Sequence, residues 1–253
     1  MTEFCADLDM LFTELPFADR FKAAREAGFS RVEFTLPANF PSGKLGDLCA
    51  YDGLKPAVVS LPIETAVLAF DESKRGVFLK AFDKAAELAD FLEAPLIHVP
   101  ACDIPAPKRA AAAPAFVNAL KQAAKTARKS RVKILLSFKN PVENPDAFPA
   151  STAQVSDMLN ALDNDKTFAV LYDVYQAQTS EGGLSNSLEK LMPVIAHIRV
   201  AGAPLRQEPD DGEISYAYIF SLLAAHGYAH AVSASYHPRL KTPNGLKWLK
   251  KFL

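Results

Sequence analysis

The sequence predicts an α/β chain folded as a single (β/α)8 barrel, the TIM-barrel class. Three observations carry this. Short apolar runs alternate with longer amphipathic stretches, eight of each, and such alternation implies parallel strands joined by right-handed crossovers. The chain has 253 residues, 49% of them hydrophobic, which suits one barrel of roughly 250 residues. No GxGxxG or GxxxxGKS/T motif follows any of the strands, which argues against an open nucleotide-binding sheet. No linker or break in composition divides the chain, so residues 1–253 are predicted to form one domain.

The elements follow in order. Phe4 to Asp9 has the length of a strand, and Phe17 to Ala27 reads as a helix closed by Gly28, a residue that ends helices at no steric penalty. Strand Arg31–Leu36 precedes a short helix near Lys44–Tyr51. Strand Ala57–Leu61 precedes a long helix, Glu72–Leu92, with Phe78, Phe82, Ala85 and Leu88 at helical spacing. Strand Leu96–Val99 leads to the Ala-rich helix Arg109–Lys129, and strand Val132–Ser137 to a helix opening at Ser151-Thr152 and running to Leu162. The last third repeats the pattern: strand Phe168–Tyr172 and helix Leu184–Ile195, strand His197–Ala201 and helix Tyr216–His226, strand Ala231–Ala234 and a C-terminal helix ending in Trp248-Leu249.

Composition excludes several function classes. The net charge is −1, so no broad positive field exists to hold a nucleic acid. The basic stretch Lys121 to Lys133 reads as a solvated helix face. No window reaches the ~18 uninterrupted apolar residues of a membrane span. Met1-Thr2-Glu3-Phe4 shows no basic segment followed by an apolar run, so no secretory signal is expected. Cys5, Cys49 and Cys102 form an odd, sparse set without CxxC spacing, which fits a reducing cytoplasm better than a disulfide or zinc framework. Buried apolar filler is their simplest role.

Barrel enzymes work from the C-terminal ends of their strands. Those ends carry Asp7-Leu8-Asp9, Glu33, Ser60, His98, then Ser137, Lys139 and Asn140, then Asp173 and Gln176, Arg199 with Arg206-Gln207-Glu208-Pro209, and lastly Ser235 and His237. This polar set of mixed charge suits a small polar ligand. Asp173 alone is a strong oxygen ligand on strands five to eight, whereas a hard divalent cation wants several. No GxSxG elbow activates Ser137 or Ser235.

Asp7-Leu8-Asp9-Met10-Leu11-Phe12-Thr13-Glu14 resembles the opening N-L-S-M-L-F-T-E of hydroxypyruvate isomerases and their sugar-isomerase relatives. The resemblance continues through Ala27-Gly28-Phe29, Val32-Glu33-Phe34, Ile97-His98-Val99, Tyr172-Asp173-Val174-Tyr175, His197-Ile198, the segment Arg206 to Ile214, and Gly245-Leu246-Lys247-Trp248. It spans the chain. It implies an enzyme that interconverts small hydroxy-aldehydes and hydroxy-ketones, such as hydroxypyruvate and tartronate semialdehyde. Such enzymes are expected to use a divalent metal such as Mg²⁺ or Mn²⁺, held by Glu, Asp, Gln and Glu on strands five to eight, with the two glutamates moving the proton.

Position by position the chain departs from that set. The first glutamate is Ser137, the glutamine ligand is Arg199, the second glutamate is Ser235, and only Asp173 is kept; Gln176 and Gln207 replace histidines. Metal-dependent isomerisation is therefore expected to be weak or lost, and no cofactor is expected. The expected pocket comprises Ser137, Asp173, Arg199, Ser235, His98, Lys139, Asn140 and Glu208, with Arg199 replacing the cation and paired to Asp173. Lys139 either adds a second positive charge at the mouth or leans into water. His98 is equally a ligand contact or a satisfied structural histidine, and Glu33, Glu208 and Glu213 are equally ligand contacts or barrel-end hydrogen-bonding groups. The expected partner is a small hydroxy- or oxo-acid or sugar-like ligand. The alternatives are a non-catalytic binding or partner protein on this fold, or a metal-independent isomerase using Asp173 and Arg199.

Overall fold

The computed structural model of the chain describes residues 3–37 and 40–252; Met1 and Thr2 of the predicted leaderless N-terminus lie outside the described residues. Eight parallel strands close into a barrel: β1 (Phe4–Asp7), β2 (Arg31–Thr35), β3 (Lys55–Ser60), β4 (Leu96–Val99), β5 (Lys133–Leu136), β6 (Phe168–Asp173), β7 (Ile195–Val200) and β8 (Val232–Ala234). Each pairs with its neighbours in chain order, and β8 returns to β1. At that seam Phe4 lies opposite Val232, Cys5 opposite Ser233 and Ala6 opposite Ala234. The predicted barrel class is the observed one.

Side chains alternate across each strand, and this period of two builds the molecule. One set, including Ala6, Phe34, Val59, Ile97, Ile134, Val170 and Ile198, faces outward into a continuous core with Phe21, Phe78, Phe82, Phe116 and Trp248. Burying each such aromatic stabilises the fold by about 1.5–3 kcal/mol. The other set faces the barrel axis, where Cys5, Val58, Leu96, Leu135 and Leu171 belong to a smaller, separate apolar cluster. Two residues further along the same strands stand Asp7, Ser60, His98, Ser137 and Asp173, all buried. The barrel is thus plugged by apolar groups below and lined by polar groups at its C-terminal mouth.

Helices α1 (Phe17–Glu26), α2 (Ser42–Asp52), α3 (Arg75–Phe91), α4 (Arg109–Lys129), α5 (Thr152–Ala161), α6 (Val174–Ser180), α7 (Leu184–Leu191) and α8 (Tyr216–Ala225) surround the strands. Three differences from the sequence expectation have local causes. The sixth connection holds two helices, because Asp173 ends β6 and accepts a hydrogen bond from the Gln176 amide, capping α6. The third helix begins at Arg75, since Asp71 caps a separate 3-10 turn at Glu72–Lys74. The expected C-terminal helix is a four-residue turn, Thr242–Gly245, followed by the 3-10 segment Leu246–Lys251. A two-residue antiparallel pair, Cys102–Asp103 with Ala147–Phe148, also joins the loops beyond β4 and β5. Among the described residues no helix is long and apolar enough to cross a membrane.

Candidate ligand site at the barrel mouth

A cleft of about 450 Å³ opens at the C-terminal mouth. Asp7, His98, Arg199 and Ser235 line its buried end, and Met10, Pro62 and Arg206 are among its walls. Each buried group arrives there by being the last inward position of its strand.

Arg199 points into the barrel, with 16% of its side chain exposed. Its Nε donates to Glu33 Oε1 at 2.9 Å and its Nη2 to Oε2 at 3.3 Å. Glu33 is fully buried and also accepts the Ser233 hydroxyl at 2.6 Å. His197 Nε2 stands 3.0 Å from Glu33 Oε2, poorly aligned for a hydrogen bond, and its Nδ1 has no hydrogen-bond partner among the described residues. Burial opposes ionisation of Glu33, but the Arg199 charge and His197 outweigh it and hold the carboxyl well below the usual range. A planar, bidentate pair of this kind is what makes a buried arginine tolerable.

Asp7 completes this group from β1. Its Oδ2 accepts the Ser235 hydroxyl at 2.7 Å and its Oδ1 the Asp9 amide at 3.0 Å. The Arg199 Nε is 3.9 Å away, too far for a hydrogen bond. Burial, reinforced by the neighbouring Glu33 charge, pushes Asp7 up to about 7.

Asp173 is held by a different cation. Its Oδ1 accepts the Gln176 amide at 3.1 Å, and its Oδ2 accepts Arg206 Nη2 at 3.0 Å. The Arg206 guanidinium also lies over the Tyr175 ring, 5.2 Å from its centroid, and its buried Nε has no hydrogen-bond partner among the described residues. His98 sits between two hydroxyls, with Nδ1 3.1 Å from Ser60 Oγ and Nε2 2.8 Å from Ser137 Oγ. Burial and then the Arg199 charge keep His98 well below its ordinary pKa, hence neutral.

Of the expected pocket residues, His98, Arg199 and Ser235 line the cleft, with Ser137 bonded to His98 and Asp173 bonded to Arg206. The expected Arg199–Asp173 pair is not formed; Arg199 takes Glu33 and Asp173 takes Arg206. Glu33 faces Arg199 across the barrel axis, a juxtaposition that closure creates. Three other expectations are corrected. Lys139 lies past the end of β5 and pairs with Asp103 at 3.0 Å on the rim. Asn140 is buried but gives its side-chain and backbone N–H groups to Gln176 Oε1, each at 2.7 Å, so it ties loops together. Glu208 accepts the Arg239 amide at 3.1 Å and borders a separate surface depression with Asp211 and Asn244. Sequence reasoning placed Asp7, Glu33 and Arg206 at strand ends but missed their roles in the site. Asp7 carried a signal, a carboxylate where the opening pattern has asparagine.

The donor set does not fit the divalent metal that the resemblance implies. Its four positions hold two hydroxyls, a guanidinium already bound to Glu33, and one carboxylate with both oxygens engaged. Among the described residues no three His, Cys, Asp or Glu side chains converge as a metal site. A fixed positive charge in that position would repel a dication.

Comparison with known proteins agrees with the fold and extends the resemblance. The family model described as a xylose isomerase-like TIM barrel matches residues 21–252. The chain is 32% identical to 2-oxo-tetronate isomerase of Haemophilus influenzae, with 100% of each chain covered. It is 28% identical to hydroxypyruvate isomerase of Escherichia coli, again with 100% of each covered. Among solved structures, one described as AP endonuclease, family 2 from Brucella melitensis superposes with a TM-score of 0.94 at 29% identity, covering 100% of this chain and 99% of that one. With a closed eight-stranded barrel, a polar mouth and a family match over nearly its full length, the chain belongs to the xylose isomerase-like TIM barrel family.

Proposed function

We propose that this chain binds a small hydroxy- or oxo-acid, of the kind its relatives' names describe, at the barrel mouth and does not isomerise it by the metal-dependent route expected of the family. The observation that carries this is Arg199, a fixed cation bound bidentately to Glu33 inside the barrel. A guanidinium has five N–H donors. Arg199 commits Nε and Nη2 to Glu33, and Arg206 commits Nη2 to Asp173. Both guanidiniums line the cleft and keep uncommitted N–H donors of the kind that pairs with a ligand carboxylate. The Ser235 and Ser60 hydroxyls add groups for the ligand's own hydroxyls. A cytoplasmic location belongs to the same proposal and rests on the sparse cysteines.

A metal-independent mechanism with Asp173 as base is not favoured, because both of its oxygens are engaged, one by the Gln176 amide and the other by Arg206. The test is calorimetric titration of metal-stripped protein with hydroxypyruvate, together with isomerase assays with and without Mn²⁺. The Ser137→Glu/Arg199→Gln/Ser235→Glu variant is run beside the wild type. Binding without metal, with metal-stimulated turnover in the variant alone, is the expected result. Metal-dependent turnover by the wild type would overturn the proposal.

A further inference from the structure

We infer that Asp7 is the proton-transfer group of this cleft, moving a carbon-bound proton of a bound 3-hydroxy-2-oxo acid while Arg199 stabilises the developing enolate. The inference rests on the ligand class proposed above and adds a chemistry to it.

Three buried carboxylates stand at the barrel mouth, and their partners separate them. Glu33 receives Arg199 twice, Ser233 once and has His197 against it, so it is a fixed counter-charge. Asp173 is bound to the Arg206 guanidinium and to the Gln176 amide. Asp7 alone among them lines the cleft, and among the described residues it has no cation within hydrogen-bond distance, its side chain accepting from the Ser235 hydroxyl and the Asp9 amide. A carboxylate offers about four lone-pair positions, so two acceptor positions remain for a substrate proton. The Ser235 bond fixes the plane of the carboxyl, and Arg199 is 3.9 Å from the same oxygen. A carbonyl seated beside Arg199 therefore has its neighbouring carbon within reach of Asp7. The ionisable groups facing Asp7 are Cys5 on its own strand, Asp9 on its own loop, Glu33 from β2 and Arg199 from β7, and Glu64, His98 and Arg206 line the same cleft. Burial and Glu33 bring Asp7 to about 7, where both its acid and its base form are populated near neutrality.

The step balances without a metal or a redox partner. The Asp7 carboxylate takes a proton from the hydroxymethyl carbon. The C–H pair becomes the C=C bond, and the carbonyl π pair moves onto oxygen as an enolate beside Arg199. When the proton held on Asp7 is replaced from solvent before the same carbon is reprotonated, that carbon exchanges its hydrogen with solvent. Its delivery to the former carbonyl carbon, with the hydroxyl proton passing to the enolate oxygen, gives the hydroxy-aldehyde. Neutral His98, bridged by Ser60 and Ser137, stands in the same cleft to carry that second proton.

The test follows hydroxypyruvate in D2O by proton NMR with chelator-treated protein, corrected for the protein-free rate. Wild type is compared with Asp7→Asn, which keeps the shape and the Ser235 contact, and with Ser235→Ala. Affinity is measured by calorimetry and folding by thermal denaturation. Expected is metal-free exchange by the wild type that falls on the order of 100-fold or more in Asp7→Asn, with affinity little changed and cooperative melting retained, and a smaller loss in Ser235→Ala. Undiminished exchange in folded Asp7→Asn, or exchange that needs added Mn²⁺, overturns the inference. Wild-type binding without exchange overturns it and leaves the ligand reading intact. Absence of binding by the wild type overturns the ligand reading itself, and the inference with it.

Discussion

Replacing Glu33 with alanine would leave the Arg199 guanidinium inside the barrel without its two charge-assisted bonds. Breaking one side of a buried pair typically costs about 3–5 kcal/mol. Glu33→Ala should therefore lower stability by that order in denaturant titration. The double variant Glu33→Ala/Arg199→Met should recover much of the loss, because no unpaired charge remains. Equal additivity of the two single changes would contradict the pairing. Asp7 gives a second prediction with a definite sign. Its folded pKa, near 7, lies above the ordinary aspartate value near 3.8. Between those values the folded chain holds the proton more tightly than the unfolded one. Its contribution is thus full below about pH 4 and is lost as pH rises through about 7. Melting temperatures of wild type and Asp7→Asn should diverge over that window, with the wild type losing ground towards higher pH. Arg199 was legible as an inward residue because it occupies the position where the resemblance has a glutamine ligand. Its partner was not, since Glu33 is 166 residues away and only barrel closure makes them neighbours.

The connection after β7 positions Arg206, and it is built around two tight glycines. At Gly202 a Cβ would overlap the carbonyls of Glu208 and Asp211, and at Gly212, with φ of +117°, it would overlap the Ala203 carbonyl. Gly202 and Gln207 form an isolated bridge that folds this loop back on itself. Gly212→Ala should displace the loop, and Arg206 with it, while the strands remain paired. Expected is at least a tenfold loss of hydroxypyruvate affinity, about 1.4 kcal/mol, by calorimetry, with a far smaller effect on the melting temperature. The segment was recognisable in sequence as Arg206-Gln207-Glu208-Pro209 followed by Gly212. Its fold-back was not, so Glu208 was expected in the pocket when it supports Arg239 and sits against Gly245. At the same scale Asp173 shows one residue closing a strand and capping a helix that no hydrophobic period announced.

The whole barrel depends on its seam, where the C-terminal segment packs across the first strand. Trp248 is fully buried; its ring meets Phe4 edge-on at 5.7 Å, and its Nε1 donates to Tyr236 Oη at 3.2 Å. Near the mouth, Thr242 donates its amide and hydroxyl to Glu14 at 2.9 and 3.1 Å and accepts the Phe12 amide at 2.6 Å. Both ends of the chain therefore share one core. We expect unfolding in a single calorimetric transition, with Trp248→Ala lowering stability by about 3–5 kcal/mol. Two separated transitions would contradict the single domain.

The sequence by itself determined the barrel, because strand and helix periods are local properties that each segment carries alone. It also determined which residues stand at strand ends, and that Ser137, Arg199 and Ser235 occupy positions where the resemblance expects metal ligands. Only the tertiary structure decided the electrostatics of the mouth. Arg199 and Asp173 had compatible charges and adjacent strands, yet each found a nearer partner, Glu33 and Arg206. Ion pairing depends on distances of a few ångströms between groups far apart in the chain, and no local pattern encodes those. The same closure left Asp7 at the foot of the cleft with a hydroxyl in place of a cation as its nearest side-chain partner.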